Sequence, residues 1–78
     1  MDIQDQAILL HRIDPAGNMA RFYALSIEPS LFGDLALTRR WGRIGTLGSQ
    51  IIELHADRAT ATLAFRRHER RKRQRGYR

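Results

Sequence analysis

The chain has 78 residues, no cysteine and a net charge of +6. A domain of that size lies near the lower limit at which a core holds without disulfides or metal, and the missing thiols exclude disulfide frameworks, thiolate zinc sites and cysteine nucleophiles. The opening M-D-I-Q-D-Q carries no basic n-region and no long apolar run, so residues 1–78 read as a single cytoplasmic domain with neither signal peptide nor membrane span.

The elements are predicted in chain order. Ala7 to Ile13 is a short apolar run, and the D-P-A-G-N that follows it is made of turn formers, so a strand enters a hairpin. Met19 to Glu28 is the return strand, with Tyr23, Leu25 and Ile27 on one face and Phe22 assigned to the core. Pro29 to Asp34 breaks the pattern; it reads as a connection with one helical turn capped by Ser30, and with Leu31 and Phe32 tucked against the sheet edge. Leu35 to Ile44 is a third strand. One parity holds Leu35, Leu37, Arg39, Trp41 and Arg43, and this mixture of leucine and arginine predicts a twist or bulge near Gly42. Gly45 to Gly48 is a glycine-bracketed turn into a fourth strand, Ser49 to His55.

From Asp57 the period changes. Asp57 suits an N-cap, Ala61, Ala64, Phe65 and His68 share a stripe, and Gly76 stops a basic helix over residues 58–75. The fold class that results is α+β, a small antiparallel β-sheet of about four strands packed by a C-terminal α-helix. The helix also concentrates the charge: Arg66, Arg67, Arg70, Arg71, Lys72, Arg73, Arg75 and Arg78 face Glu69 alone, while residues 1–65 are close to neutral. Such asymmetry points to nucleic acid or another polyanion. Like charges one turn apart, as at Arg67 and Arg71, predict that the last turns fray until a polyanion binds.

Catalysis finds no residues to carry it. Ser26, Ser30 and Ser49 lack a nucleophile context, and no carboxylate pair stands out among eight acids. His11, His55 and His68 have no ligand spacing and read as surface residues, so no metal and no cofactor is expected. The basic tract lacks the apolar face that an interfacial helix needs, which argues against a membrane partner.

The run R-R-W-G-R-I-G at Arg39 to Gly45 is different in kind, because it sets the chain's one tryptophan among three guanidinium groups. Arg offers a rigid fork of donors for phosphate, and an indole face accepts a stacked sugar or base. The alternative is that Trp41 is a large core residue and the arginines its solvated flanks. Gly42 leaves room between Trp41 and Arg43 for a ligand backbone to come close. Candidate nucleic-acid contacts are therefore Trp41, Gly42 and Arg43, with Arg39 or Arg40 beside them, and Arg67, Arg71 and Lys72 on the helix.

The motif resembles the WGR domain, a module named for the tripeptide that stands here as Trp41-Gly42-Arg43. The likeness continues in Arg21-Phe22-Tyr23, Ile44-Gly45, Gly48, a helix with Ala61 and Phe65, Lys72 and Gly76-Tyr77, and so covers residues 7–77. It is similar to the domains that sit beside the catalytic domain of eukaryotic poly(ADP-ribose) polymerases and bind DNA ends. There the motif Trp stacks on a terminal sugar and the Arg makes polar contacts at the break. The 78 residues leave no room for a catalytic domain beside the module, and the Arg-rich tract is denser than the family pattern, so the expectation is a small stand-alone bacterial-type member. It implies nucleic-acid binding of low sequence specificity, DNA ahead of RNA, centred on Trp41 and Arg43. The rival is a protein partner held by the same Trp and Arg, residue types that often form hot spots.

Overall fold

The computed structural model describes residues 6–78. Four antiparallel strands, β1 (Ala7–Asp14), β2 (Met19–Pro29), β3 (Leu35–Arg43) and β4 (Ser49–His55), lie in the order β1-β2-β3-β4, and one helix, α1 (Arg58–Gln74), packs across one face of the sheet. The α+β class and the strand count agree with the sequence reading.

Turn chemistry sets the first hairpin. Asp14 accepts a hydrogen bond from the Gly17 amide, Pro15 begins a single 3-10 turn, and Asn18 closes it in the left-handed region at φ 52°. Asn tolerates that region because its short polar side chain bonds locally. Register then runs unbroken from Ala7↔Ser26 to Asp14↔Met19.

Leu10, Tyr23, Leu25, Ile27 and Leu37 point to the helix and form the core with Ala61, Ala64, Phe65 and Tyr77. Leu25, Ile27 and Leu37 are essentially sealed from water, and each such burial is worth about 1.5–3 kcal/mol relative to exposure. Ala61, Ala64 and Phe65 are the buried positions of α1, the stripe expected from spacing. Asp57 caps α1 by accepting from the Thr60 amide at 2.9 Å.

The predicted bulge near Gly42 is absent. β2 and β3 pair without interruption from Arg21↔Arg43 to Pro29↔Leu35, and the charged residue on the core side is tolerated because Arg39 Nε lies 3.2 Å from Glu53 Oε2. Leu31 and Phe32 do not tuck against the sheet; they are 96% and 86% exposed, in a turn whose Ser30 hydroxyl accepts from the Phe32 amide at 3.1 Å. A turn that short holds its side chains away from the sheet.

The end of α1 is anchored and does not hang loose as the run of like charges predicts. Gly76 turns the chain at φ 95°, Tyr77 is buried edge-on against Tyr23 with ring centroids 6.2 Å apart, and Arg78 exchanges two backbone hydrogen bonds with His11 at 2.7 and 2.8 Å. The opposite face of the sheet has no cover among the described residues. Leu9, Ile13, Ile52 and Leu54 are exposed there.

Candidate nucleic-acid interface

Strand alternation decides which motif side chains meet. Arg39, Trp41 and Arg43 stand opposite Leu25, Tyr23 and Arg21, so all three project to the face that α1 covers, Arg39 and Trp41 beside core residues and Arg43 past the end of the core. Trp41 is partly buried: it packs against the core and keeps a minor share of its surface open. The structure thus joins the two alternatives that the sequence left open, since the residue is at once a core edge and partly accessible. Arg40 takes the other parity and lies on the uncovered face, with Cζ 5.7 Å from the Phe22 ring centroid. Of the two neighbours, Arg39 is the one that accompanies Trp41.

Arg39 is held from two directions. Its Cζ lies 5.8 Å from the indole centroid, a cation–π distance, and Glu53 is its ion-pair partner. The ion pair is close but poorly aligned, because the buried Nε makes no hydrogen bond of acceptable angle. Glu53 also meets His55 Nε2 at 3.4 Å and His68 Nε2 at 3.2 Å. Both imidazoles are largely covered, at 20% and 14% side-chain exposure, which corrects their assignment as surface residues. Burial gathers them around one carboxylate across β4 and α1, a convergence that linear spacing does not reveal. The guanidinium in their midst makes this an ion network; among the described residues no group of His, Asp or Glu has the geometry to hold a metal.

Arg43 is exposed at the end of β3 and gives one donor, Nη1, to the Asn18 carbonyl at 3.4 Å. The side chain is exposed, and a guanidinium has four further N–H donors beyond that one. The following turn is fixed on Arg43: Thr46 bonds the Arg43 carbonyl through its amide at 3.0 Å and its hydroxyl at 2.8 Å. Gly42 serves that turn and not the ligand side. A Cβ there would point to the uncovered face, 2.8 Å from Gly48 Cα and 3.3 Å from Thr46 Oγ1. The expected room for a ligand backbone between Trp41 and Arg43 is therefore not what this glycine provides.

The helix contributes unequally. Lys72 Nζ sits between two aromatic faces, 4.8 Å from the Tyr23 centroid and 5.2 Å from that of Tyr77. Burial, followed by the charges of Arg75, Arg39, Arg21 and Arg71, holds its ammonium below the usual lysine value. Arg71 and Arg67, one turn apart, are both exposed, and the charge of Arg71 bears on Tyr23, His68 and Lys72. Sequence reasoning named Lys72 but missed Tyr77 as its second ring and Glu53 as the anchor of Arg39; the one acid of β4, on the same parity as His55, was the available signal for the latter.

The match to known proteins follows the same residues. A family model described as the WGR domain matches residues 6–78. This chain belongs to the WGR domain family. The WGR match takes in all four strands, the helix and the Tyr77 anchor. A relative described as "Uncharacterized protein y4dW", from Sinorhizobium fredii (strain NBRC 101917 / NGR234), is 48% identical over 75 residues. The alignment takes in 96% of this WGR chain and 37% of the relative, so the chain spans little more than a third of that protein's length. No solved structure matches at a significant level. Among the described residues no helix is long and apolar enough to cross a membrane.

Proposed function

We propose that this WGR chain is a non-enzymatic nucleic-acid-binding module of low sequence specificity, with DNA as the preferred partner. Trp41 stacks on a sugar or base, Arg43 contacts phosphate beside it, and the basic helix draws the polyanion in. The observation that carries the reading is the partly exposed Trp41 on the face to which Arg39 and Arg43 also project and across which Lys72 seats its ammonium. Stacking on an aromatic contributes about 1–3 kcal/mol per base, and phosphate contacts supply affinity without reading sequence.

The test is a titration of a short DNA duplex by fluorescence anisotropy at several salt concentrations. Neutralising about four to six phosphates gives log K a slope near −4 to −5 against log salt. Trp41→Ala weakens binding by about 5- to 150-fold, the equivalent of the stacking term, while circular dichroism keeps its folded signature. A flat salt response removes the reading, and so does a Trp41→Ala protein that binds normally. Partners that survive nuclease treatment in a pull-down would support the protein-interaction use of the same surface.

A further inference from the structure

The row of arginines beside Trp41 does not stop at Arg43. Cross-strand pairing sets Arg43 opposite Arg21 on β2, and Arg21 opposite Arg12 on β1. All three share the parity of Leu10, Tyr23 and Trp41, so they form one rung across three strands on the helix-covered face, just past the end of the core. With strands about 4.8 Å apart, the rung extends roughly 10 Å.

Like charges directly opposite one another on a sheet are unfavourable, so this arrangement costs the unliganded molecule stability. Among the described residues the ion pairs go to Arg39, His55, His68 and Arg73, and none reaches the rung. The nearby Asp14 carboxylate is turned to the Gly17 amide at 3.3 Å. At its far end the rung opens into a shallow cleft of about 500 Å³ lined by His11, Arg12, Ile13, Asp14, Gly76 and Arg78. Arg12 lies along the chain there: a Cβ on Gly76 would come 3.4 Å from its Nε. Arg78 is fixed at the same place by its two bonds to His11.

We propose that Arg43, Arg21 and Arg12 form a phosphate track, along which the backbone of the strand stacked at Trp41 crosses β3, β2 and β1 toward the cleft at Arg78. This deepens the nucleic-acid reading and rests on it. One strand of duplex presents a phosphate about every 3.4 Å of axis, with successive phosphates further apart along the backbone itself, so a rung of this length meets a short run of them. The ligand accordingly runs across the sheet and not along α1, whose outward cations Arg66, Arg70 and Arg73 contribute only a diffuse field.

The experiment compares Arg12→Gln, Arg21→Gln, Arg43→Gln, Trp41→Ala and the helix double variant Arg66→Gln/Arg70→Gln. Each is titrated with a fluorescein-labelled 12-base-pair duplex between 50 and 200 mM salt. Loss of one direct phosphate contact reduces the steepness of the salt dependence by about 0.9. Arg12→Gln and Arg21→Gln each show that reduction and a several-fold loss of affinity, and the helix double variant keeps the slope. Thermal melting without DNA adds a second readout, in which Arg21→Gln melts no lower than the parent because a repulsion has been relieved. If Arg12→Gln and Arg21→Gln keep both slope and affinity while Trp41→Ala and Arg43→Gln weaken, the track is overturned and the nucleic-acid reading stands. Equal losses in the helix double variant also overturn the track. If every variant binds as the parent does, the nucleic-acid reading itself fails.

Discussion

Glu53 is the residue on which the charge balance behind Trp41 depends. Burial pushes its carboxyl up, but the His55 hydrogen bond, the charges of His68 and Arg39 and the His68 hydrogen bond outweigh that, and the net position is below the usual 4.5. Burial, with the charge of Arg39 added, depresses His68 below its usual 6.5 against the opposing pull of Glu53. At neutral pH His68 is therefore uncharged, and its contact with Glu53 is a hydrogen bond from the imidazole N–H. Both depressions have the same sign. A group held less protonated in the folded state contributes stability that is full above its unfolded value and is lost as pH falls through the folded one. The urea midpoint should accordingly fall as pH drops below 6.5 and continue to fall through the carboxylate range. His68→Gln keeps a donor for Glu53 and flattens the upper part of that profile; an unchanged profile would remove His68 from the account. At this scale the sequence was legible as parity, which put Arg43 with Trp41 but left Arg39 and Arg40 as alternatives, because an expected bulge at Gly42 would have shifted the register. It was not legible as partnership, because Glu53 and His68 meet only through the docking of α1 on β4.

At the scale of elements, the β3–β4 turn holds the motif in place, and two of its glycines do so differently. Gly48 has φ 74°, and a Cβ there would lie 2.2 Å from the Trp41 carbonyl oxygen and 2.9 Å from Phe22 Cζ. Gly45 has φ 97° with nothing within 4 Å of the same position. A left-handed conformation costs a side chain roughly 1–2 kcal/mol, and forcing atoms into packed space adds about 1–3 kcal/mol. Gly45→Ala should show the first cost alone and Gly48→Ala both, so urea denaturation separates the two variants. Equal losses would mean that the backbone around Gly48 yields freely. The strands, the helix and their order were readable because alternation, glycine punctuation and the change of period at Asp57 all agree. Two segments were not. Leu31 and Phe32 look like core residues by type, yet their turn is too short to return them to the sheet. The bulge inferred at Gly42 came from counting arginine as incompatible with a core face, which Glu53 makes tolerable.

Over the whole molecule, the contact of Tyr77 with Tyr23 and the bonds of Arg78 to His11 tie the last described residues to the first hairpin. Truncating a buried aromatic to alanine costs about 3–5 kcal/mol, against a total of about 5–15 kcal/mol for a domain. Tyr77→Ala should therefore lower the melting temperature sharply and loosen Lys72 from its aromatic seat. Retention of the parental melting temperature would show the tail to be an ornament of the fold. The meander also has a kinetic consequence. Every strand pairs with its neighbour in sequence, and contacts of that kind close short loops and form quickly. The His11–Arg78 bridge closes the longest loop of the described chain and belongs to the end of the reaction. In stopped-flow measurements Tyr77→Ala should speed unfolding and leave the folding rate nearly unchanged, the pattern of a contact made after the transition state. If Tyr77→Ala follows that pattern, the rung from Arg43 to Arg12 forms with the sheet before the Tyr77 anchor seats the end of the helix. A chain caught between those two events would carry the track without the charges that draw a polyanion to it.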